Sequence, residues 1–129
     1  SESEIEDYLE VMDRNFIGWA TAFAQLAAGP DARAERELYE SFCSTDPRTI
    51  RTFAQIALKV DLRDRLAELP VDTLVVQCLH DPLAPVSVGE YLCSQIPRAQ
   101  YALLDVVGHC PQVTHPDLLA AHLEKFWPT

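Results

Sequence analysis

The chain has 129 residues and is 48% hydrophobic, enough for one domain with a core, and its formal charge is −10. Twenty acids stand against ten bases, of which only Lys59 and Lys125 are lysines. The arginines, such as Arg33, Arg36, Arg48, Arg51, Arg63 and Arg65, alternate with acids instead of forming the clustered basic face that displaces counterions, which argues against nucleic acid as a partner.

From residue 1 to about residue 66 the pattern is helical. Ser3-Glu4-Ile5-Glu6 has the form of a capping box, and Ile5, Tyr8, Leu9, Met12 and Phe16 then recur at spacings of three and four. Phe16 to Ala28 is apolar almost all round, and Gly29-Pro30 ends it. Asp31 can cap the next helix, which carries Leu38, Tyr39 and Phe42. Thr45-Asp46-Pro47 is a further start signal, with aspartate at the N-cap and proline at the first helical position. Ile50, Phe53, Ala54 and Ala57, extended by Val60, form the expected buried stripe of that helix, and a short turn from Asp61 to Leu66 leads to Pro70.

After Pro70 the order becomes strand, loop, helix, strand, loop, helix. Leu74-Val75-Val76-Gln77-Cys78-Leu79 and Tyr101-Ala102-Leu103-Leu104 read as continuous apolar strands, which implies a parallel sheet covered on both faces and joined by a right-handed helical crossover. Ser87-Val88-Gly89-Glu90 is expected to cap the middle helix. Thr114-His115-Pro116-Asp117 is expected to open the last one, which carries Leu118, Leu119, Leu123, Phe126 and Trp127. Two strands leave a long apolar edge, so further strands are expected from residues preceding this chain or from another chain.

Each strand leads into a residue able to do chemistry. His80-Asp81-Pro82 follows the first, and the prolines of its His-Asp-Pro-Leu-Ala-Pro loop stiffen it. Val107-Gly108-His109-Cys110-Pro111 follows the second, and the glycine permits the sharp turn that projects an imidazole over the strand ends. An acid after one buried strand and a Gly-His after the next match the order Ser…Asp…His of an α/β-hydrolase triad, in which Asp81 orients and His109 is the general base. Asp81 also reads as a turn cap, since Asp-Pro commonly opens turns, and His109 as a surface loop histidine. No G-x-S-x-G nucleophile elbow occurs in the chain.

Trp19 and Phe23, at i and i+4, are either core or the wall of a ligand pocket roofed by the over-apolar second helix. Cys43, Cys78, Cys93 and Cys110 lie far apart with no C-x-x-C, and nothing signals a reactive thiol. The spacing of His109, Cys110, His115 and His122 matches no common zinc pattern, so neither a metal nor another cofactor is implied. Nothing resembles a leader, and no apolar run approaches the ~20 residues of a membrane span. A reduced, soluble, cytoplasmic protein without a membrane partner is expected.

The stretch from Asn15-Phe16-Ile17-Gly18-Trp19 through Ser41-Phe42-Cys43-Ser44-Thr45-Asp46-Pro47 resembles the V-shaped four-helix lid of one α/β-hydrolase family. That family contains the bacterial energy-stress regulator RsbQ and the plant strigolactone and karrikin receptors. Lys59-Val60-Asp61-Leu62-Arg63, Val86-Ser87-Val88-Gly89-Glu90-Tyr91-Leu92 and Gly108-His109-Cys110-Pro111 continue the likeness over nearly the whole chain. The resemblance implies an α/β fold in which residues 1–66 are the helical lid and residues 67–129 the C-terminal β-α-β-α part of the core. The first half of the sheet, with the serine and the oxyanion hole, is absent from the chain. It also implies Asp81 and His109 as triad acid and base, with Trp19, Phe23 and Phe53 lining a hydrophobic substrate pocket.

Three functions compete. One is a serine hydrolase for a small hydrophobic ester, lactone or similar acyl compound, completed by the N-terminal half of the same fold. Another is a ligand-responsive signalling module whose lid contacts a regulatory protein. The third is a standalone α/β interaction domain.

Overall fold

The computed structural model describes residues 2–127. Four helices come first: α1 (Glu2–Arg14), α2 (Phe16–Ala28), α3 (Ala32–Cys43) and α4 (Pro47–Lys59). A 3-10 turn (Arg63–Glu68) then leads to β1 (Thr73–His80), α5 (Val86–Gln95), β2 (Ala99–Val107), the single-turn α6 (Pro111–Thr114) and α7 (Pro116–Phe126).

Local chemistry sets most helix boundaries. The Asn15 side chain accepts from Gly18 N and starts α2; Asp31 accepts from Arg33 N and Ala34 N and starts α3; Asp46 accepts from Arg48 N ahead of Pro47 and starts α4. Ser3 lies inside α1, whose described residues begin at Glu2, with Glu2 and Glu4 in the first turn near the positive end of its dipole. Ser87 likewise lies inside α5, whose N-cap is Pro85 with no side-chain cap.

Leu9 and Met12 of α1 and Trp19 and Ala20 of α2 form one core, against which Tyr8, Phe16, Phe23, Phe42, Ile50 and Ala54 pack. Ala20, Ala24, Ala27 and Ala28 of α2 are wholly buried, since their small side chains let neighbouring backbone come close. The stripe expected on α4 is not buried: none of its residues is, and Phe53 is 72% exposed. Ile50 and Ala54 pack against the α1–α2 core, while Phe53, Ile56 and Val60 are exposed.

β1 and β2 pair in parallel, Val75 opposite Tyr101 and Cys78 opposite Leu104, with a register irregularity before His80, which pairs with Val107. α5 packs on both strands and makes the crossover. Gly89 allows the close approach: a Cβ there would lie 2.9 Å from Gln77 Oε1 and from Tyr101 Cε2. Cys78, Leu104 and Val106 form a second core with Val76. The expectation of two covered faces fails for β2. Ala102, Leu104 and Val106 are buried, whereas Leu103, Asp105 and Val107 between them are exposed. Strand side chains alternate between faces, and the ten-residue α5 covers the second face only in part.

Candidate active site

Asp81 comes directly after β1, and its side chain is only 5% exposed. Its Oδ1 accepts from Leu83 N at 2.8 Å and Ala84 N at 3.1 Å, and its Oδ2 meets His109 Nδ1 at 2.7 Å. One carboxylate oxygen thus caps the turn after β1, and the other faces the imidazole. Burial of a carboxylate without such partners would be costly, and here both oxygens have one. The thiols of Cys78 and Cys110 are pushed upward, first by burial and further by the charge of Asp81.

His109 follows Gly108, whose φ of +110° is a left-handed conformation that suits glycine. A Cβ at position 108 would lie 2.8 Å from Ala27 O. The same carbonyl, at the end of α2, accepts from His109 N at 2.8 Å and from Cys110 N at 3.3 Å. Gly29, at φ +63°, approaches from the other side, with its would-be Cβ 2.9 Å from Val107 O. Arg33 of α3 adds a bond from its guanidinium to Val113 O at 2.9 Å. The histidine loop is thus gripped by the helices as well as by β2.

A carboxylate oxygen accepts, so the contact calls for a proton on His109 Nδ1 and leaves Nε2 clear of it, on a side chain that is 44% exposed. His80 sits instead beside Asp105, 3.6 Å away, and His115 contacts the Thr114 hydroxyl, so neither joins the pair.

Trp19, Phe23 and Phe53 line a common apolar cavity of about 200 Å³ between α1, α2, α3 and α4, together with Tyr8, Phe42, Ile50, Ala54, Ala57 and Leu58. Trp19 stacks on Phe23 with centroids 5.3 Å apart and meets Phe42 edge-on at 5.4 Å. Its indole N–H donates to the Tyr8 hydroxyl at 2.7 Å, so the buried polar tip is satisfied. Burial raises the Tyr8 phenol above its usual value. The sequence does not single out Tyr8 and Phe42 as cavity residues, although each lies on an apolar helix face. Among the described residues, no group of three or more His, Cys, Asp or Glu side chains converges to hold a metal. The four cysteines are free, and no helix among the described residues is long and apolar enough to cross a membrane.

Two parallel strands with an acid after the first, a histidine after the second and a helical segment before them define the C-terminal part of an α/β-hydrolase fold. The comparisons agree with that fold, and the sequence is similar to members of that superfamily over nearly its whole length. It is 33% identical over 129 residues to a strigolactone esterase of Arabidopsis thaliana, covering 98% of this chain and 48% of the relative. A karrikin insensitive 2 receptor of Petunia hybrida is 26% identical over 121 residues, covering 92% of this chain and 45% of the relative. A pimeloyl-[acyl-carrier protein] methyl ester esterase of Nitrosospira multiformis is 25% identical over 132 residues, covering 97% and 50%. Among solved structures, a hydrolase from Oleispira antarctica superposes with a TM-score of 0.89 at 32% identity, covering 98% of this chain and 48% of that one. The enol-lactonase from Burkholderia xenovorans shares the fold, with a TM-score of 0.85 at 19% identity over 95% of this chain and 49% of that one. No family model matches. The chain spans about half the length of the curated relatives it matches.

Proposed function

We propose that this chain supplies the acid and the general base of a serine hydrolase acting on a small hydrophobic ester, lactone or similar acyl compound. The observation that carries the reading is the 2.7 Å contact between the enclosed Asp81 carboxylate and His109 Nδ1, at the ends of adjacent parallel strands. In this mechanism His109 Nε2 takes the proton from a serine as its oxygen attacks the acyl carbon, then returns it to the leaving oxygen. Asp81 holds the tautomer and stabilises the imidazolium that forms. The serine and the oxyanion donors come from the N-terminal half of the same fold, which completes the sheet alongside β1. The four helices act as a lid, and the cavity at Trp19, Phe23 and Phe53 receives the apolar part of the substrate. The esterase and lactonase names of the relatives support an acyl substrate.

In the protein that carries this chain, His109→Ala and Asp81→Asn should each lower ester turnover by about 10²–10⁴-fold while leaving the thermal midpoint nearly unchanged. Full activity in His109→Ala would sink the reading. A second reading, a cytoplasmic signalling module whose lid contacts a regulatory protein, is favoured by the receptor among the relatives. Surface substitutions within residues 31–40 that abolish signalling and spare hydrolysis would select it. Neither reading gives nucleic acid or a membrane a part.

A further inference from the structure

Asp81 is positioned by its loop, and the loop is itself held by a residue the hydrolase reading does not use. Gln77 lies in β1 among apolar neighbours and, at 6% exposed, is a buried polar residue. Its Nε2 donates to Ala84 O at 2.9 Å and to Cys78 O at 3.1 Å. Both partners are carbonyl oxygens, so only the NH₂ end of the amide satisfies them, and both of its hydrogens are used. The packing leaves the side chain little room, since position 89 has no Cβ to spare beside its Oε1.

Ala84 joins this amide to the site. Its C=O accepts from Gln77 and its N–H donates to Asp81 Oδ1, while Asp81 Oδ2 meets His109. The chain Gln77–Ala84–Asp81–His109 therefore runs unbroken through four residues. Pro82 and Pro85 cannot donate backbone N–H bonds, so the loop depends on few anchors. Burying a primary amide inside a strand is unfavourable unless every donor finds a partner, which a Leu or Val at this place would avoid.

We infer that Gln77 is a positioning residue: its amide pins the Ala84 peptide so that Asp81 holds the His109 imidazole in one orientation. The inference rests on the proposed role of the pair, but its test does not need turnover. The probe is the solvent-exchange rate of the His109 Nδ1–H proton, followed by NMR of the imidazole-¹⁵N-labelled protein that carries this chain, with Asp81→Asn identifying the resonance. Gln77→Met keeps the length and removes the donors; exchange should quicken about tenfold to a hundredfold. Leu104→Val, a core change that lowers the melting point, should leave the exchange rate unaltered, which separates positioning from general loosening. Unchanged exchange in Gln77→Met overturns the proposal.

Gln77→Glu provides a second arm should the methionine variant not fold. A protonated glutamic acid side chain has one O–H that can serve Ala84 O, and the ionised form has none. Exchange relative to the unaltered protein at the same pH that is slow below the titration of the introduced carboxyl and fast above it supports the brace, and a ratio that stays constant across it overturns it. Ester turnover measured alongside keeps the two ideas apart. An unaltered protein without turnover whose Nδ1–H responds to Gln77 substitution loses the hydrolase reading and keeps the brace. An active protein whose Nδ1–H ignores that substitution loses the brace alone.

Discussion

Around Trp19 the chain relies on area: Tyr8, Phe16, Phe23 and Phe42 surround one indole, with a single directed bond to the Tyr8 hydroxyl. Around Asp81 it relies on direction, with two backbone amides on one oxygen and an imidazole on the other. The first region suits adaptable binding, because dispersion and apolar burial tolerate changes of contact that conserve volume. The second suits chemistry, because each hydrogen bond fixes an angle as well as a distance. The contrast also explains why the two regions should fail differently when they are altered.

The largest stability effect should come from the apolar side. Trp19→Ala removes the ring on which the cluster is organised and should cost about 3–5 kcal/mol, read from denaturant unfolding. Phe53→Ala, on the same cavity but mostly exposed, should change stability by less than about 0.5 kcal/mol. If the two variants lose the same stability, the core is not centred on Trp19. On the directed side, Gly108→Ala places a Cβ against Ala27 O in a left-handed backbone and should cost about 1–3 kcal/mol. A neutral Gly108→Ala would mean that the histidine loop is held less tightly than its contacts imply.

The smallest effect concerns pH. The Asp31 carboxyl is held below its ordinary range, chiefly by the Ala34 amide, with the Arg33 amide and guanidinium adding to it. A carboxylate whose folded pKa is depressed contributes stability above its unfolded value, and that contribution is lost as pH falls through the folded one. Melting measured from neutral pH downward should therefore show a slightly shallower acid loss in Asp31→Ala than in the unaltered protein. Parallel curves would show that the cap is not titrating.

Legibility in the sequence follows the range of the interaction. Asp31 and Asp46 act on amides two or three residues away, so both caps can be read directly, as can the two strands and the breaks at Gly29 and Pro70. Asp81 and His109 are visible because each follows a strand and the strands are neighbours. Their 2.7 Å contact is a long-range fact that only the parallel register provides. Gln77 looks like an interruption in an apolar run, since its partner Ala84 carries no polar side chain to announce it. The apolar spacing of α4 is right as a pattern and wrong as a forecast of burial. Periodicity says which side chains share a face, and nothing about whether enough protein lies against it.

The grip of Ala27 on the histidine loop bears on how the molecule can move. Two glycines, 29 and 108, interleave there so closely that neither tolerates a side chain, and one carbonyl holds two successive amides. This makes the C-terminal end of α2 and the turn after β2 a weld. Helices that swing over the strands must pivot elsewhere, as in the segment 60–72 between Lys59 and β1, or take His109 with them. In the first case the imidazole stays aimed while the cavity opens. In the second, the Trp19 cluster and the His109 imidazole shift as one piece.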